Sequence, residues 1–160
     1  MKIEFDVQMT TSKMYDYMLR HMMTSFQGIV GEMIGILLVL GYFLTGKIIY
    51  IIAGVVVILY LPVTLCLKAK RQVALNPVFK EPLHYTLDEE GVKVKSRDAE
   101  ESLPWSAMYK ATSSLRTVIL YTNKINACLF PKEDLGDNKD EVIKMISTHM
   151  DPKRVNIKGN

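Results

Sequence analysis

Two apolar runs stand back to back, with only Gly46 and Lys47 between them. The first reads Ile29-Val-Gly-Glu-Met-Ile-Gly-Ile-Leu-Leu-Val-Leu-Gly-Tyr-Phe-Leu-Thr45, and the second runs from Ile48 to Leu67 around Val55-Val56-Val57-Ile58. Each is close to the ~20 residues that cross about 30 Å of hydrocarbon as a helix. Within lipid every backbone N–H and C=O must bond inside its own segment, so even β-branched runs become helical there. A buried helix of a soluble bundle is the competing assignment, but such a helix carries a polar stripe. The second run has none. The expectation is a membrane hairpin over residues 28–67, with helices at about 29–46 and 48–67. A turn as short as Gly46-Lys47 makes the two helices antiparallel neighbours.

Basic residues set the expected orientation. Lys13, Arg20 and His21 precede the hairpin, Lys68, Lys70 and Arg71 follow it, and the turn holds only Lys47. Both termini are therefore expected in the cytosol. These flanks also account for much of the +3 net charge of the 160-residue chain, so nucleic acid is not an expected partner. The start of the chain alternates Lys2-Ile3-Glu4-Phe5-Asp6-Val7, unlike a cleaved leader with its basic start and immediate apolar core. The apolar block reads as an anchor.

Inside the hairpin, Glu32 is a carboxylate in an apolar helix, which marks it as a candidate functional residue. The opposing reading puts it one turn inside the cytosolic end, where headgroups solvate it. Gly31 and Gly35 form a GxxxG pair that lets a second helix approach closely. That helix is either the hairpin's own second arm or another copy of the chain, a possible homo-oligomer. Pro62 removes one backbone bond and is expected to kink the second helix near Ile58.

Ile3, Phe5 and Val7 alternate with charges as in a half-buried strand. Thr10-Thr11-Ser12 offers a helix cap, and Met14, Tyr15, Met18, Leu19, Met22, Met23 and Phe26 form an apolar stripe over 13–27. Two placements suit that helix: the headgroup layer, or the surface of the protein's own soluble domain. After a basic linker over 68–82, the period changes to two. Leu83, Tyr85 and Leu87 lead into Asp88-Glu89-Glu90-Gly91, a turn expected to need positive φ at Gly91, and Val92 and Val94 complete a hairpin. Arg97-Asp98-Ala99-Glu100-Glu101 reads as a polar turn, and Pro104 marks an edge strand or a bulge. Further strands are expected over 108–112, 117–121 and 127–130. A closing helix follows, with Val142, Ile143, Met145, Ile146 and Met150 as its apolar face. A soluble domain over 83–152 and a loose basic tail over 153–160 complete the division, with 1–27 as an N-terminal strand and helix.

The order of these features, with Leu103-Pro104-Trp105 opening a strand and Thr117-Val-Ile-Leu-Tyr121 followed by Leu129-Phe-Pro-Lys132, resembles the YcxB-like family of bacterial membrane proteins. The resemblance implies a multi-pass protein of the bacterial cell membrane with a C-terminal domain similar to pleckstrin-homology-like (PH-like) barrels. It brings no catalytic residues. The expected fold class is an α+β membrane protein: a two-helix hairpin plus a small antiparallel β domain closed by a C-terminal helix.

Sites for chemistry are not visible. His21, His84 and His149 lie in separate segments without ligand spacing, and Cys66 and Cys128 make no metal cluster or disulfide framework. Glu89-Glu90 and Glu100-Glu101 sit in turns open to water, where general acid-base work lacks a shielded site. The expectation is therefore a non-catalytic binding or regulatory protein without cofactor or metal, presenting its cytosolic domain to a protein or a lipid headgroup. The alternative is a small oligomeric transport or channel component built around Glu32 and Pro62. The candidate functional or packing residues are Glu32, Gly31, Gly35, Pro62 and Trp105.

Overall fold

Alternating burial along Ile3–Val7 places Ile3, Phe5 and Val7 inward and Glu4 and Asp6 outward, and this first strand, β1, pairs with a segment far along the chain. The computed structural model describes residues 2–97 and 99–157; Asp98 and Lys158 of the expected turn and tail lie outside them. Between β1 and its partner the chain makes a long helical excursion. Helix α1 (Thr11–Met23) is capped by Thr10, whose hydroxyl accepts from the Lys13 N–H. It stops earlier than its apolar stripe suggests, because Ser25 caps a new helix by accepting from Gly28 N–H. That helix, α2 (Phe26–Thr45), ends at Gly46 with φ 65°, a left-handed cap that glycine adopts without a Cβ penalty. Helix α3 (Ile48–Leu75) returns alongside it. The expected linker over 68–82 is thus largely helix: Lys68-Ala-Lys-Arg-Gln-Val-Ala-Leu75 are mostly good helix formers. Ala69 gains complete burial by continuing the helix into the core. A 3-10 turn at Pro77–Phe79 then leads to the strands.

Strands β2 (Leu83–Leu87), β3 (Gly91–Lys95) and β4 (Glu100–Pro104) join β1 in an antiparallel sheet of order β1-β2-β3-β4. Ile3, Phe5 and Val7 lie opposite Leu87, Tyr85 and Leu83, so one face carries all the apolar side chains. Glu100 and Glu101, read from sequence as turn residues, pair with Lys95 and Val94 in the edge strand. Gly91 does not have positive φ. Glycine is needed there because a Cβ would lie 2.1 Å from the Leu103 carbonyl oxygen, where β4 crosses closely.

The second sheet contains β5 (Lys110–Ser113), β6 (Thr117–Tyr121), β7 (Ala127–Pro131) and β8 (Val155–Asn156), in the order β7-β6-β5-β8. The last pairing is parallel, so the segment expected as a loose tail is tied to Ala111 and Thr112. Helices α4 (Lys132–Leu135) and α5 (Lys139–His149) stand between β7 and β8. Val142, Met145, Ile146 and Met150 are buried and Ile143 is half-buried against the core, as the periodicity predicts. Every residue of β6 is buried. Phe5, Tyr85 and Phe130 form the aromatic centre, with ring centroids 5.1–5.7 Å apart. The class is α+β: two apolar helices, two small sheets and a C-terminal helix.

Candidate functional site

The hairpin is closed by glycine. A Cβ at Gly54 would stand 2.8 Å from the Gly35 oxygen and 2.9 Å from the Val39 nitrogen, so the two backbones nearly touch. Gly35 is buried at this seam, and Gly31 faces Leu61 at 3.5 Å. The Gly31–Gly35 pair therefore serves the hairpin's own second arm. Glu32 follows Gly31, and Pro62 follows Leu61, so the two stand at one level of the hairpin. Both are half-buried. Helix α3 continues through Pro62, and the Thr64 hydroxyl donates to the carbonyls of Tyr60 and Leu61 at 2.8 and 3.0 Å. Away from the seam the surface is apolar and open, with Phe26, Phe43 and Leu44 exposed by 83, 75 and 89%. Both helices are long and apolar enough to cross a membrane.

Trp105 lies elsewhere, buried beside the β2–β3 turn. Its indole N–H donates to the Asp88 carbonyl at 2.9 Å, and its ring stacks on His149 at 5.2 Å between centroids. His149 also reaches Glu89 at 2.8 Å. This arrangement ties the turn to α5. His84 bonds Asp6 across β1 and β2 at 2.7 Å, and His21 meets the Tyr121 hydroxyl at 3.3 Å. The three histidines remain apart, and the described residues hold no group of metal-ligating side chains. Cys128 is buried, which pushes its thiol up to about 12, with the Glu101 charge adding to the shift.

Helix α1 docks on the domain through polar and aromatic contacts. Lys13 Nζ reaches both carboxylate oxygens of Asp134 at 2.7 and 2.8 Å. Ser114 donates to Asp16, Tyr17 donates to the Ile125 carbonyl at 3.1 Å, and Tyr17 and His21 pack on Tyr121. The helix then turns into α2 at a corner where a Cβ on Gly28 would overlap the Met22 carbonyl. The sheets are consequently fixed to the base of the hairpin by α1 and by the extension of α3.

That docking shapes a cleft of about 570 Å³, lined by Arg20 and Thr24 of α1, Tyr109, Lys110 and Thr112 near β5, Tyr121 of β6, and Lys153, Arg154 and Asn156. Its lining contains four cations and no carboxylate. The Lys110 ammonium lies 4.7 Å from the centre of the Tyr121 ring, a cation–π arrangement. Burial pushes the Tyr121 phenol up to about 12, with nearby Tyr17 contributing in the same direction, so it remains a neutral hydroxyl. Among the described residues no carboxylate forms an ion pair with Arg20, Lys110, Lys153 or Arg154. Sequence reading names Arg20 only as a flanking charge and Lys153-Arg154 only as tail. Their meeting depends on α1 docking and on β8 pairing with β5, neither of which leaves a local motif.

A family model described as YcxB-like protein matches residues 87–146. Over that span the chain is similar to that family. No curated protein and no solved structure matches it. The YcxB-like segment runs from the end of β2 into α5 and contains Trp105, Lys110 and Tyr121. The hairpin, with Glu32, Gly31, Gly35 and Pro62, lies outside it, as do Arg20, Lys153 and Arg154.

Proposed function

We propose that this chain is a membrane-anchored, non-catalytic binding module. In this reading α2 and α3 cross a bacterial cell membrane as a hairpin, both termini are cytosolic, and the YcxB-like part belongs to a PH-like domain held at the inner face. The observation that carries the reading is the junction: two apolar, outward-facing helices continue without a loose linker into a folded two-sheet domain. Placing that apolar surface in water is unfavourable by about 25 cal/mol per Å², and lipid removes the cost. Basic Lys68, Lys70 and Arg71 at the end of the apolar stretch of α3 support the cytosolic side. Four strands in one sheet, β5 to β7 in the other and a C-terminal helix support the PH-like assignment.

A rigid junction suits a module that must present one surface at a fixed height above the headgroups. The test uses the full chain, because β1, α1 and α3 all contribute to the core of the domain. Membranes carrying it are washed with alkaline carbonate, and lipid- and protein-reactive crosslinkers are then applied. The reading expects retention in the membrane and a reproducible crosslinked partner, lipid or protein, on the two-sheet domain. Release by carbonate, or a domain that captures neither, contradicts it.

A further inference from the structure

We infer that the cationic cleft between the end of α1, β5 and the C-terminal segment binds the phosphate of an anionic phospholipid headgroup. The inference rests on the membrane-anchored reading above and gives that module its ligand class. Its lining is suited to a phosphodiester. Arg20 and Arg154 offer planar guanidinium forks that match phosphate oxygens, and Lys110 and Lys153 offer compact charges. Thr112 and Tyr109 add hydroxyl groups, and Asn156 an amide, for the remaining polar atoms of a headgroup, whereas the Thr24 hydroxyl donates to the Arg20 and His21 carbonyls and that of Tyr121 meets His21.

Four cations that find no carboxylate partner among the described residues repel one another, so this arrangement is relieved by an anion. The position selects the source. Thr24 immediately precedes Ser25, the cap of α2, so the cleft opens at the base of the hairpin. In the anchored reading that places it at headgroup level, where anionic lipid arrives by lateral diffusion and each basic residue adds to surface attraction. A nearby apolar rim is available for the glycerol and upper acyl region: Met23 and Phe26 are exposed by 50 and 83%.

The test uses the full chain in neutral detergent, titrated separately with dioctanoyl phosphatidylglycerol, dioctanoyl phosphatidylcholine and inorganic phosphate. Binding is read as saturable occupancy by native mass spectrometry for the lipids and by calorimetry for all three probes. Phosphatidylglycerol should saturate one site, phosphatidylcholine should not, and inorganic phosphate should bind more weakly than phosphatidylglycerol. The double variant Lys110→Gln/Arg154→Gln should bind phosphatidylglycerol at least about tenfold more weakly, and Lys153→Gln should weaken it less. A charge-matched control, Lys95→Gln/Lys144→Gln, alters exposed lysines on other elements and should leave binding unchanged.

Equal phosphatidylglycerol affinity in the wild type and the Lys110/Arg154 variant overturns the site. So does equal binding of phosphatidylcholine. Inorganic phosphate that binds as tightly as the lipid and displaces it overturns the lipid assignment in favour of a free anion. Carbonate washing of the membranes from which each preparation is extracted separates the two levels. A chain that stays in the membrane but retains no anionic lipid defeats the cleft alone, whereas a chain released by carbonate defeats the anchoring as well.

Discussion

Asp88 organises the β2–β3 turn through several contacts from one residue. Its side chain accepts from the N–H groups of Glu90 and Gly91 at 2.9 and 3.1 Å and pairs with Lys93 at 2.8 Å, while its carbonyl receives the Trp105 indole. The Lys93 hydrogen bond holds the carboxyl below its ordinary value, with the two backbone N–H groups helping. A depressed folded value means the stabilisation is present above the unfolded carboxylate value near 4 and is lost as pH falls through the lower folded one. Thermal melts from pH 5 downward should therefore show an acid-dependent loss in the wild type that is smaller in Asp88→Asn. At the aromatic centre, Phe130→Ala should cost about 3–5 kcal/mol, read by denaturant titration in detergent. Cys128 should resist maleimide at neutral pH until the domain is unfolded, while exposed Cys66 labels in native detergent-solubilised protein. At this scale the apolar core positions are legible, since Ile3, Tyr85 and Ile146 follow their strand or helix periods. The reason for Gly91 is not, because the obstacle is the Leu103 carbonyl of another strand.

Between elements, the hairpin seam makes a graded prediction. A methyl added at Gly54 meets rigid backbone, the Gly35 oxygen and Val39 nitrogen, whereas one added at Gly35 first meets the movable Ile58 side chain at 2.6 Å. Gly54→Ala should therefore lower the thermal midpoint in detergent more than Gly35→Ala, with costs in the range of about 1–3 kcal/mol expected for overpacking. The Lys13–Asp134 pair offers a second test. Both side chains are largely withdrawn from water, so Lys13→Met leaves Asp134 without its partner and should loosen α1 from the domain. Faster hydrogen exchange along Thr11–Met23, with β2 and β3 unchanged, is the expected result. The sequence periods reveal α1, both apolar helices and the central strands. They do not reveal that α3 continues to Leu75, because Lys68-Ala-Lys-Arg reads equally well as a charged exit and as another helical turn. Burial of Ala69 against the domain decides between them, and that is a tertiary contact.

Across the whole molecule, the two-sheet domain is assembled from segments far apart in the sequence. β1 supplies one edge of the first sheet, and β8 supplies an edge of the second. The boundary at residue 83 suggested by the change of period therefore leaves out part of the core, since period reports an element and not its partner. The cationic cleft escaped sequence reading for a related reason: Arg20, Lys110 and Lys153-Arg154 come from three distant segments that only folding joins. The central claim is that the hairpin crosses a membrane and holds the two-sheet domain on the cytosolic side. The most direct measurement is impermeant-maleimide labelling of intact and permeabilised cells carrying the full chain with Cys66→Ser and either Lys47→Cys, in the hairpin turn, or Ser102→Cys, on the exposed edge strand. The account predicts that Lys47→Cys is labelled in intact cells and Ser102→Cys only after permeabilisation. Labelling of both variants in intact cells, or of neither until permeabilisation, contradicts it.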